Sequence, residues 1–224
     1  MLDLWTTLIP LALGSAIIPV EIALTILVLK TPGGVPKALA WVGGMTAVRL
    51  AQWVVLGPIV ETAVDDGQPG TSLVEGALLL VVGILFLVIA ARKATNQPDE
   101  DAPPPAWMAM MDNVSAGRAF LMGAALIALN PKLWAFTLGT LGAVGDAELT
   151  GAAGFAAFLV FVVIAQGFHL GAIALTVVAP SRAERVVGGM NAWLERHSRT
   201  VLIVFSGVFG VWLLARSLAA FGVL

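Results

Sequence analysis

Three ionisable residues stand inside long apolar stretches of this chain: Glu21, Arg49 and Lys132. A charge held in hydrocarbon is costly unless it faces a partner or water. One acid and two bases so placed therefore point to mutual pairing, to binding of a charged headgroup, or to proton exchange. The simplest pairing joins Glu21 to Lys132 or to Arg49, and a buried ion pair that only fixes helix packing is the alternative to a binding site. Two of the three lie beside a proline, in Ile18-Pro19-Val20-Glu21 and in Asn130-Pro131-Lys132. Pro19 and Pro131 each remove an amide donor and clash with the preceding turn, which frees backbone carbonyls for a substrate or a neighbouring helix. A plain kink without a ligand role is the competing explanation for either proline alone.

Other polar residues gather near these. Asn130 could bridge its break or touch substrate, and Trp134, one turn on, is a packing residue or a substrate contact. Gln52 follows Arg49 by three residues, and His169 follows Gln166 by three, so each pair shares a helical face. A histidine ordinarily titrates near neutrality, so His169 could relay protons, or serve as a hydrogen-bonded packing histidine. The chain has no cysteine, which rules out disulfides, thiolate metal sites and thiol redox relays. No phosphate-cradling glycine loop precedes a Lys-Ser or Lys-Thr pair, no two histidines have metal-ligand spacing, and no nucleophile stands by a base. The expectation is a non-enzyme with no cofactor, no metal and no nucleic-acid partner.

The elements that must position these residues follow from composition. Hydrophobic residues make up 59% of the 224-residue chain and charged ones 12%, with mean hydropathy +0.96. A soluble domain carries roughly 25% charge, so this is an integral membrane protein. Apolar runs fall at about 4–29, 36–60, 73–92, 118–143, 150–178 and 200–221, each long enough to cross about 30 Å of hydrocarbon. The predicted fold is all-α, with six transmembrane helices arranged as two inverted three-helix repeats. The domains are 1–92, a Pro- and acid-rich cytoplasmic linker at 93–117, and 118–224 with an interfacial helix at about 181–199. Nine of the twelve basic residues border the first, third and fifth loops, while the second and fourth carry only acids. Basic residues resist translocation, which puts both termini outside the plasma (inner) membrane. Dense small residues, Gly43-Gly44, Gly139 with Gly142, and Gly207 with Gly210, permit close helix approach and a homodimer.

Sliding the chain by half its length, 112 residues, lays Pro131 on Pro19, Ala124 on Ala12, Ala128 on Ala16, Thr137 on Thr25 and Leu141 on Leu29. An internal repeat of this kind is common among transporters, with the working site at the repeat junction. With Trp41-Val42-Gly43-Gly44 and Asn130-Pro131-Lys132-Leu133-Trp134, the chain resembles the lysine exporter superfamily, and within it the peptidoglycolipid- or sulfolipid-addressing branch. That resemblance implies export or flipping of a lipid-linked or glycolipid cargo, with Pro19, Asn130, Pro131 and Lys132 at the site position. The expected partners are membrane lipids and a lipid or small-molecule substrate. An exporter of amino acids or small cations, and a non-transporting adaptor for envelope lipid assembly, are the alternatives.

Overall fold

A computed structural model describes residues 2–65, 70–95 and 114–223, and among them every regular element is helical, with no strand. The helices are α1 (Leu2–Ala16), α2 (Pro19–Lys30), α3 (Gly34–Asp65), α4 (Gly70–Thr95), α5 (Ala116–Leu129), α6 (Pro131–Asp146), α7 (Gly151–Ala165), α8 (Gly167–Val178) and α9 (Pro180–Ala220). Most of the 93–117 linker lies outside the described residues. The apolar runs read from sequence correspond to these elements, but three of them are not single rods. The chain bends by 48° between α1 and α2, by 66° between α5 and α6, and by 55° between α7 and α8.

The first two breaks fall where the prolines require them. Pro19 and Pro131 each occupy the first helical position of the element they open, where the missing amide and fixed φ are tolerated. The third break, at Gln166-Gly167, has no proline and was not anticipated from sequence. Among the described residues two helices, Gly34–Ile59 and Arg199–Ala219, are by themselves long and apolar enough to span a membrane, and the bent pairs raise the number to as many as five. The 181–199 stretch and the last apolar run form one continuous helix of 41 residues. Where α9 passes the end of α4, Arg199 donates from Nε to the Lys93 carbonyl at 3.0 Å and from Nη2 to the Ala94 carbonyl at 3.1 Å. It thereby supplies donors and positive charge to a helix C-terminus that needs both.

Packing is set by two glycine-lined crossings. In the α3–α5 crossing, a Cβ on Gly44 would lie 2.8 Å from the Phe120 carbonyl carbon and 2.9 Å from the Ala124 amide nitrogen. Reciprocally, one on Gly123 would meet the Trp41 carbonyl. In the α4–α9 crossing, Gly83 approaches the Leu214 amide and Gly210 the Leu87 amide, each to 3.1 Å from a would-be Cβ. Gly207 faces open space and Gly43 meets only the Phe120 ring, at 3.8 Å, so of these two sequence pairs one member each makes the close approach. Phe86, Phe136, Phe205 and Phe209 stack where α4, α6 and α9 meet.

The distribution of side chains is that of a membrane protein. Large apolar residues such as Val54, Val55, Ile59, Val81, Leu121 and Val208 are exposed, while Glu21, Arg49 and His169 have no exposure at all. Water would favour the reverse arrangement. Lipid accepts the apolar exterior and leaves polar groups nowhere to go but inward.

Candidate functional site

The polar interior is built by six helices, and α3 contributes its spine. Trp41, Met45, Arg49 and Gln52 recur at spacings of four, four and three, and all are buried, which places them on one stripe. From that stripe Arg49 reaches the end of α1, where Nη2 donates to Ser15 Oγ at 2.7 Å. Its guanidinium carbon lies 5.1 Å from the centroid of the Phe161 ring on α7, close enough for a cation–π contact. The first broken span is charge-matched at its two ends. Arg49 sits at the partially negative C-terminus of α1, and Glu21 in the first turn of α2 sits at a partially positive N-terminus.

Glu21 faces α8. Its Oε2 is 3.5 Å from His169 Nε2, within ion-pair range but without hydrogen-bond geometry. One turn along α2, Thr25 lies at the hub of the contact. Its Oγ1 is 2.7 Å from His169 Nδ1, accepts from Trp41 Nε1 at 3.0 Å, and lies 2.9 Å from the Glu21 carbonyl oxygen. On the other side of the stripe, Thr137 of α6 donates to Gln52 Oε1 at 3.0 Å. Thr25 and Thr137 are each the seventh residue from the proline that opens their helix, each is fully buried, and each bonds a side chain of α3.

Among the described residues several buried atoms find no hydrogen-bond partner: both carboxylate oxygens of Glu21, Nε and Nη1 of Arg49, Nε2 of Gln52, both amide atoms of Gln166, and Nε2 of His169. The Glu21 charge acts on Arg49 through space, yet among the described residues no ion-pair contact joins them.

Of the residues singled out by sequence, Glu21, Arg49, Gln52, Gln166 and His169 are thus all buried among these helices. Glu21 contacts His169 at 3.5 Å, a pairing not foreseen. Gln166 and His169 are separated by the α7–α8 break rather than lying on one straight face. The side chains of Pro19, Pro131 and Lys132 lie outside the described residues. Asn130 caps the break before α6, its carbonyl accepting from the Leu133 and Trp134 amides at 3.0 and 3.3 Å. Trp134 Nε1 donates to the Ala128 carbonyl at 2.8 Å, stitching the two sides of that break together. Replacing Trp134 with phenylalanine is expected to lower thermal stability by about 1 kcal/mol, the worth of one such bond, with substrate affinity retained. A larger fall in affinity than in Tm would make the indole a substrate contact.

Ser15, Thr25, Trp41 and Phe161 were not singled out as site residues. Thr25 was legible in principle, four residues from Glu21 on the same face. Ser15 and Phe161 join the cluster only through contacts between helices. No group of three or more His, Asp or Glu side chains that could hold a metal occurs among the described residues.

An all-helical bundle with an apolar exterior and a charged, water-shielded polar cluster at its broken helices defines this as a polytopic membrane protein. Family-level comparison matches residues 8–219 to Sap, sulfolipid-1-addressing protein, and the chain belongs to that family. No curated protein and no solved structure gives a match.

Proposed function

We propose that this protein translocates a lipid-linked anionic cargo across the plasma membrane, with the polar cluster around Arg49 as its headgroup site. The family's name ties it to the addressing of a sulfolipid, and an acidic amphiphile is the cargo to which a buried guanidinium is suited. The observation that carries the reading is that Arg49 and Glu21 are both fully buried and both under-bonded, without an ion-pair contact between them among the described residues. A pair serving only to fix packing gains its energy from direct, hydrogen-bonded contact. Groups held apart with free donors and acceptors are arranged for something that comes between them.

In this reading α4 also spans, which brings the spans to six, and 1–92 and 118–224 are inverted three-helix repeats of the lysine exporter type. The breaks before Pro19 and Pro131 are the gates, Lys132 borders the second of them, and both termini are extracytoplasmic. The protein carries out transport rather than chemical conversion. The test is reconstitution into liposomes holding a fluorescent sulfated glycolipid, whose transfer between leaflets is read by a membrane-impermeant quencher. Protein-dependent transfer is expected. Transfer of a soluble basic amino acid instead would assign an amino-acid exporter, and no transfer of either would favour the envelope adaptor.

A further inference from the structure

We infer that an oxyanion bound at Arg49 brings one proton onto the Glu21–His169 pair, so that anion and proton occupy the cluster together. The inference rests on the reading of the cluster as a headgroup site, and it names the co-bound ion and its acceptor.

Charge balance makes the first argument. Among the described residues Glu21, Arg49 and His169 are the buried ionisable side chains. Arg49 comes from α3 and His169 from α8. Arg182 and Arg185 on α9, which also packs on α2, are exposed, as is Lys30 at the end of α2. Lys37, on α3, turns to Thr31 at 3.4 Å. With a neutral imidazole these described charges cancel, one negative and one positive. A bound monoanion leaves a net negative charge in a medium that solvates it poorly. One proton restores neutrality, and Glu21, already within the Coulombic reach of Arg49, is the group the incoming anion repels.

Geometry makes the second argument, because the pair can accept that proton without rearrangement of the helices. The Thr25 hydroxyl owns one hydrogen and has two acceptors within reach, the Glu21 carbonyl at 2.9 Å and His169 Nδ1 at 2.7 Å, while Trp41 occupies a lone pair at 3.0 Å. When Thr25 donates to Nδ1, the histidine proton sits on Nε2, 3.5 Å from the Glu21 carboxylate. When it donates to the carbonyl, Nδ1–H donates to Thr25 and Nε2 turns a bare lone pair toward Glu21. A hydroxyl rotation thus accommodates either tautomer. Among the described residues both Glu21 oxygens are free of hydrogen bonds, so the arriving proton has an acceptor and, once on the carboxyl, faces the bare Nε2 at 3.5 Å.

The experiment is calorimetric titration of the detergent-solubilised protein with a sulfated alkyl glycoside. It is run at one pH in two buffers of different ionisation enthalpy, and repeated across pH. The expected result is uptake of about one proton per ligand, with affinity falling as pH rises, by about tenfold per pH unit for one linked proton. Glu21→Gln, which keeps the shape of the side chain, is expected to take up less than about a fifth of a proton and to flatten the pH profile. His169→Gln provides a second variant should the first fail to fold. Binding of the sulfated ligand without proton uptake would overturn the linkage while leaving the headgroup site standing. No preference for the sulfated ligand over its unsulfated parent would overturn both.

Discussion

Replacing Arg49 with methionine is expected to weaken binding and transfer of an anionic lipid by roughly a hundredfold, about 3 kcal/mol, while leaving thermal stability within a few degrees of the parent. The two halves of this expectation come from different parts of the residue. The guanidinium provides the positive charge and the free Nε and Nη1 donors, and nothing apolar substitutes for these. The stem is fully buried beside Phe161, and methionine fills a similar volume with a flexible thioether that packs well on an aromatic ring. Removing a charge that makes one hydrogen bond, to Ser15, also removes its desolvation cost, and Glu21, left without that charge, takes a proton rather than staying buried as an ion. Leaflet-transfer rate and Tm measured on the same preparation check both halves. A fall in stability of about 3 to 5 kcal/mol, as when one partner of a buried pair is removed, would show that Arg49 is a structural ion.

Gly44→Ala is expected to destabilise the bundle by about 2 to 3 kcal/mol, whereas Gly43→Ala, one residue away, changes stability by less than about 0.5 kcal/mol. At Gly44 the added methyl meets the backbone of α5, which cannot rotate aside as a side chain can. Residues 120 and 124 must move away bodily. At Gly43 the nearest atom is 3.8 Å away on the Phe120 ring, an ordinary contact. Because α3 also carries Trp41, Arg49 and Gln52, forcing α3 and α5 apart displaces the polar stripe from Thr25, Ser15 and Thr137, so transfer is lost along with stability. Gly123→Ala, the reciprocal contact, is expected to behave like Gly44→Ala. The double variant should cost less than the sum, since helices already separated by one methyl have room for the other. Thermal unfolding of the four variants decides the matter, and equal effects at Gly43 and Gly44 would contradict the crossing.

What the sequence by itself determined is what a local window can encode. Apolar runs of spanning length, the absence of cysteine, and the prolines at 19 and 131 dictate a helical membrane protein with broken helices. The cost of a charge in hydrocarbon singles out Glu21 and Arg49 as buried without reference to any fold. The spacing of Arg49 with Gln52 shows that they share a face, because helical periodicity is a property of neighbours in the chain. Only the tertiary structure decided the partners. Glu21 meets His169, Arg49 meets Ser15 and Phe161, and Thr25 joins Trp41 to His169. These contacts join residues on separate helices, where the angle and depth of each crossing set which atoms come within 3 Å. Those crossings are fixed in turn by which glycine of a pair faces a backbone, Gly44 rather than Gly43 and Gly210 rather than Gly207. Adjacent glycines look alike in sequence, and they differ only when a second helix is laid against one of them.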